Sequence, residues 1–185
     1  GIGSVYVPPS SILSAISVRL FGNPMPEGLE STTVNIIMDL RMPRVILAFL
    51  TGAALSASGA AVQSVLRNPL ASPYTLGVSS GASLGAGIVI AAGFTFLGQF
   101  TLAAAGLASA LLTMFAAAAF TSRIDKSFES STIVLTGMVI SLFISAIVNL
   151  MANLADEKYK QILKWQTGSF SGRGWGYCAV LAVVS

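Results

Sequence analysis

The stretch VILAFLTGAALSASGAAVQSVL, Val45 to Leu66, runs for 22 residues without a charge. As a helix rising about 1.5 Å per residue it reaches about 33 Å, enough to cross a hydrocarbon core of about 30 Å. Its small residues Gly52, Ser56 and Ala60 stand four apart, on one ridge of that helix. Such a ridge lets helices approach closely where lipid offers no hydrophobic drive for association.

Working outward, the pattern recurs at residues 75–97, 100–120 and 132–154. Backbone groups in lipid must pair within the chain, and runs that are continuous rather than alternating exclude a barrel, so these are helices. Composition agrees: 54% of residues are hydrophobic and 9% charged, against roughly 25% charged in soluble domains. The fold class is an all-α integral membrane protein, a polytopic bundle of four full transmembrane helices plus the start of a fifth near Tyr177. Residues 1–185 read as a single transmembrane domain. Within it, 1–40 form an amphipathic and loop segment with a short helix capped by Ser10 or Ser11. Residues 156–176 form a second such segment, beginning with the amphipathic Asp156 to Trp165, and 177–185 start the next helix. A start at Gly1 without Met and an end inside an apolar run read as a piece of a longer protein. No signal-peptide pattern is visible.

Several function classes fall away. The net charge of +3 comes with no basic run, so no nucleic-acid partner is expected. A single cysteine, Cys178, and no histidine leave no disulfide and no metal site. No catalytic residues are expected, because no nucleophile–base or metal constellation is present. None of the four spans contains Asp, Glu, Lys, Arg or His, the groups on which proton and ion coupling usually depends. The chain reads as a conduit powered from elsewhere, needing no cofactor of its own.

Local chemistry punctuates the spans. Pro43 suits a first helical turn, Asn68-Pro69 ends a helix, and Pro73 delays the next. A short turn at residues 98–100 makes an antiparallel hairpin of the second and third spans. Residues 122–131 form a polar connector in which Ser130 or Ser131 is a plausible N-cap. Gly77, Gly81 and Gly85 form a packing ridge in the second span. The fourth span carries Gly137, Ser141, Ser145, Asn149 and Asn153, again in steps of four. Two readings stand for that row: interhelical hydrogen bonding, or a polar strip along a water-filled path. Gln63 in the first span shares this ambiguity.

Four motifs then occur in order: RMPR (41–44), GAALSASGAAVQSVLRNPLASPYTLGVSSGASLG (52–85), VLTGMVIS (134–141) and KWQTGSFSGRGW (164–175). From about Asp39 onward the chain closely resembles the FecCD family, permease subunits of binding-protein-dependent ABC importers for iron–siderophore complexes, haem and cobalamin. By that template the chain lacks the first helix and ends inside the sixth of about ten. The resemblance implies residence in the bacterial or archaeal cytoplasmic membrane. It also implies three kinds of protein partner: a second permease subunit, separate ABC ATPase subunits and an extracytoplasmic substrate-binding protein. The cytoplasmic gate would include Asn68, Leu70, Ser130 and Ser131, and the translocation path Ser145, Asn149 and Asn153. Arg41 and Arg44 would meet acidic residues of the binding protein on the external face.

The charge count alone favours the opposite orientation. Arg67, Arg123 and Lys126 lie on the side that the resemblance makes cytoplasmic, against Arg19, Arg41, Arg44, Lys158, Lys160, Lys164 and Arg173 on the other. Docking to an acidic partner gives a reason for external arginines. Two other classes compete, a secondary transporter driven by an ion gradient and a membrane scaffold that transports nothing.

Overall fold

Glycine and proline decide where each helix starts and stops. The computed structural model describes residues 6–127, 129–155 and 158–184. Asp156, Glu157 and Phe128 therefore lie outside the described residues, as do parts of the two polar connectors expected there. Eight α-helices make up the described chain, and no strand occurs among its described residues. They are α1 (Pro9–Phe21), α2 (Ser31–Asn35), α3 (Met42–Leu66), α4 (Val78–Ala92), α5 (Thr101–Ile124), α6 (Ser130–Leu154), α7 (Tyr159–Thr167) and α8 (Trp175–Val184).

Among the described residues, three helical runs are long and apolar enough to cross a membrane: Ser31–Leu66, Gly98–Ile124 and Ser130–Leu154. The first starts well before Val45, where charge-free sequence begins. Residues Ile36–Arg41 form a π turn that joins α2 to α3, and the Met42 N–H donates to the carbonyl of Ile37. The widening falls just before Pro43, which has no N–H and whose ring would crowd the carbonyl four residues back. A π turn thus lets the helix continue through a residue that sequence reading takes as its start.

The second expected span is shorter than 75–97. α4 has 15 residues, about 22 Å at the helical rise and short of the roughly 30 Å core. Two left-handed glycines set its ends, Gly77 at φ 86° and Gly93 at φ 76°, a conformation open to residues without Cβ. Before Gly77, Ser72 and Thr75 close a turn on each other. The Ser72 N–H donates to Thr75 Oγ1 at 3.0 Å and the Thr75 N–H to Ser72 Oγ at 3.1 Å. After Ala92, the N–H groups of Gly93 and Phe94 both donate to the Val89 carbonyl, a left-handed C-cap.

Two compact units emerge, Gly1–Leu55 with Phe170–Ser185, and Ser56–Ser169. In the first, α1 buries Ala15 against Val34, Ile37 and Met38, with Val7 completing the cluster. Pro9 opens α1 at N1, and neither Ser10 nor Ser11 makes a capping bond. In the second, α4, α5 and α6 pack with α7 over Ile90, Ile144, Val148, Ala152 and Ile162. α4 runs antiparallel to α5: a Cβ at Gly81 would strike Thr113 and the Ser109 carbonyl, and one at Gly85 would strike the Ala105 carbonyl and Ser109. Against α6 the pairing is parallel, Gly77 beside Ser141 and Gly87 beside Val148. Gly137 meets the backbone of Thr75 and Leu76 just as closely.

Candidate functional site

With glycines turned toward α5, a second face of α4 is left for its hydroxyls. Ser79, Ser80 and Ser83 stand three and four residues apart and so share a side of the helix. Opposite them α6 presents Ser141, Ser145 and Asn149. Tyr74, Val148 and Gln166 of α7 complete a cavity of about 320 Å³. Among the described residues, no carboxylate, amine or guanidinium lines it. Part of its hydrogen-bonding capacity is spent locally: Ser80 Oγ donates to the Gly77 carbonyl at 3.0 Å and Ser141 Oγ to the Gly137 carbonyl at 2.7 Å. Bonds of that kind hold a hydroxyl in place while leaving its lone pairs open to the cavity.

Of the polar row on α6, Ser145 and Asn149 line this cavity. Asn153 does not; its Nδ2 donates to the Asn149 carbonyl of its own helix at 2.8 Å. Sequence reading missed Ser79, Ser80, Ser83, Tyr74 and Gln166. The step of four from Ser79 to Ser83 was available in the same segment as the glycine ridge.

At the end of the unit where α3 stops, Arg67 takes φ 47°, the one left-handed non-glycine among the described residues. Its N–H donates to Ser64 and that of Asn68 to Gln63, the paired bonds of a Schellman cap. Asn68 Oδ1 accepts the Leu70 N–H at 2.9 Å, and Gln63 Nε2 donates to the Pro69 carbonyl at 3.2 Å. Gln63 thus acts on its own helix end. The turn holds Leu70 outward, 78% exposed.

Ser130 and Ser131 open α6 without capping it. The N-cap is Glu129, and it makes no side-chain capping bond. Asp125 organises the approach instead, its carboxylate accepting the N–H groups of Ser127 at 2.8 Å and Glu129 at 3.0 Å. Those bonds, that from Ser127 first, hold the Asp125 carboxyl below its ordinary value of 3.8.

At the other end of α4, Lys158 Nζ donates to the Ala91 carbonyl at 2.9 Å. A cation there satisfies an orphan carbonyl and meets the negative end of the helix dipole. Trp165 lies over Gly106 of α5, so α7 seats on the bundle where a larger residue would hold it off.

In the first unit, Arg41 ends the π turn and Arg44 follows one turn later, exposed, with Nη2 donating to Ser171 Oγ at 2.9 Å. Gly52 is exposed, and a Cβ there would meet nothing within 4 Å. Ser56, which opens the second unit, is exposed as well.

The profile of the FecCD transport family matches residues 1–185. An uncharacterized ABC transporter permease, YvrB of Bacillus subtilis, is 41% identical over 95% of this chain and 50% of its own length. The Fe(3+)-citrate import permease YfmE of the same organism is 33% identical over 98% and 51%. The molybdate import permease MolB of Haemophilus influenzae is 34% identical over 80% and 43%. Among solved structures, an inward-facing ABC transporter assigned to the metal-chelate type superposes with a TM-score of 0.71 at 27% identity, covering 94% of this chain and 55% of that one. The chain spans about half the length of these relatives.

Proposed function

Because the chain belongs to the FecCD transport family, we propose that it works within the permease of a binding-protein-dependent ABC importer, and that the α4–α6 cavity is its share of the path. The observation that carries this reading is the wall of that cavity, hydroxyls from Ser79, Ser83 and Ser145 and two amides from Asn149 and Gln166, with no carboxylate, amine or guanidinium among the described residues that line it. Such a wall binds cargo weakly enough to release it. It offers nothing that would harness a proton, so the driving force comes from ATP hydrolysis on separate subunits. The cargo is a bulky metal chelate, iron–siderophore first and haem or cobalamin next. A second permease, identical or not, encloses the other side.

On this reading α4 is the fourth crossing element, with the turns at 72–77 and 93–100 completing its passage, and α8 begins a fifth. Asn68 and Leu70 with Ser130 and Ser131 form the cytoplasmic gate, and Asn153 lies beyond the path's polar wall. Arg41 and Arg44 receive the binding protein on the outer face of the bacterial or archaeal cytoplasmic membrane. One observation favours a gradient-driven alternative: a short helix with non-helical flanks is also how secondary transporters build their binding sites.

The test uses the full-length protein in proteoliposomes with its ATPases and binding protein, following uptake of a labelled ferric siderophore. Uptake that needs both ATP and binding protein is expected. Replacing Asn149 by Leu should cut it by about tenfold or more, since the polar wall then loses one of its two amides to a bulky apolar side chain. Uptake driven by a sodium or proton gradient alone would overturn the importer reading. Failure with this cargo while haem or cobalamin is carried would correct the cargo and leave the importer.

A further inference from the structure

Away from the cavity, the first unit gathers its cations where segment 170–177 meets the start of α3. Proline chemistry begins the argument. In a π turn the N–H of residue 43 would satisfy the carbonyl of Met38, and Pro43 has no N–H to give. The Trp175 indole N–H takes that place, donating to the Met38 carbonyl at 3.1 Å. Cys178 Sγ donates to the Pro43 carbonyl at 3.3 Å. Together these bonds pin the first turn of α8 to the widened helix, while Ser171 accepts from Arg44 a few residues earlier.

Between those anchors sits Arg173. Its Nη1 donates to the Tyr177 hydroxyl at 2.7 Å, and its guanidinium carbon stands 4.6 Å from the centre of the Tyr177 ring. Among the described residues, Arg19 pairs with Asp39 at 3.9 Å, and no carboxylate pairs with Arg44 or Arg173. Arg173 is thus oriented by an aromatic ring and a neutral acceptor, without a counter-ion among the described residues. A guanidinium has five donors in a planar fork, and one bond to Tyr177 leaves donors for a carboxylate. Fixing it beforehand lowers the entropy lost when a partner binds.

We propose that Arg173, held by Tyr177 and two residues beyond the Ser171 that binds Arg44, is a further docking residue that receives an acidic side chain of the substrate-binding protein. The inference rests on the reading of Arg41 and Arg44 as the docking surface. It adds to that surface a rigid cation whose geometry suits two-point recognition, where Lys would offer only a point charge.

The test measures association of the binding protein with the full-length transporter in nanodiscs, at low and high salt, with and without anionic lipid. Arg173→Gln should weaken association roughly five- to tenfold at low salt, mainly through a slower on-rate, and flatten the salt dependence. Arg173→Lys should recover part of the loss. Arg173→Glu should be rescued by Arg in place of one acidic residue on the binding protein, an outcome no folding defect can produce. Loss of binding in Arg41→Glu/Arg44→Glu with no change in Arg173→Gln would sink this proposal and leave the docking surface standing. If none of these variants alters association, the docking reading itself is wrong. An effect of Arg173→Gln seen only with anionic lipid would assign the cation to a lipid headgroup and overturn the proposal.

Discussion

α3 and α4 carry the same small-residue device and use it differently. Gly81 and Gly85 press α4 onto the backbone of α5, where a Cβ on either glycine would collide with Ser109 and its neighbours. At Gly52, in the corresponding row of α3, a Cβ would meet nothing from another element within 4 Å. A row of glycines spaced by four is therefore permission for a close approach. Whether a partner accepts it depends on the rest of the fold. In α4 the permission is taken up, and the serines are left to face the cavity. In α3 the row Gly52, Ser56 and Ala60 is exposed.

The largest effect that separates the two helices should come from one substitution made in each. Gly85→Ala puts a methyl group against backbone, which cannot swing aside, and should destabilise the bundle by about 1–3 kcal/mol. Gly52→Ala meets open space and gains helix propensity, so a change within about 1 kcal/mol in either direction is expected. Thermal unfolding of the full-length protein in detergent and in the assembled transporter measures both. Equal stability of the two variants would break the contrast. A loss for Gly52→Ala in the assembled transporter alone would sharpen it, by showing that the α3 row meets a partner there.

A smaller effect belongs to the end of α4. Lys158→Met keeps the length of the side chain but removes the donor to Ala91, and should cost about 0.5–1 kcal/mol. Unfolding midpoints of this variant at low and high salt check the assignment. A midpoint equal to wild type would mean that Gly93 alone suffices to end the helix.

The smallest effect concerns the turn that delivers α6 to α4. The Asp125 carboxyl is held below its ordinary value by the Ser127 N–H and then the Glu129 N–H. A group depressed on folding contributes stability that is present above its unfolded pKa of about 3.9 and is lost as pH falls through the folded value. Midpoints taken from pH 5.5 down to 2.5 should fall more for wild type than for Asp125→Asn, with the curves parallel above pH 5. Parallel curves throughout would remove Asp125 from the account.

Much of this was legible in the residues. Charge-free length was enough for the runs 45–66, 100–120 and 132–154, although α5 continues beyond Phe120 through Arg123 to Ile124, and Asn68-Pro69 marked the end of α3. The short α4 was not, because apolar residues continue through Thr75–Gly77 and Gly93–Leu97 while the backbone turns there. Nor was the early start at Ser31. Pro43 is a helix starter by rule, and here a π turn, whose bonds skip one residue, lets the helix run into it.

The polar cavity shows the same division. Spacing left the α6 row open between two readings; Ser145 and Asn149 line the cavity, while Asn153, one step further, satisfies its amide on its own helix. Ser79, Ser80 and Ser83 share their segment with the glycine row, and only the rotation of α4 against α6 turns them to the cavity.

By itself the sequence determined that this chain is helical and belongs in lipid, since a chain with 9% charged residues has no other way to satisfy its backbone and its side chains. It also determined the family, through motifs in fixed order. Tertiary structure alone decided which small-residue rows meet a backbone, which hydroxyls face a common space and which arginine is held by a ring. Those outcomes depend on the rotation of one helix against another, and several rotations are compatible with the same periodicity. Contact with backbone that cannot yield, at Gly81, Gly85 and Gly137, selects one of them.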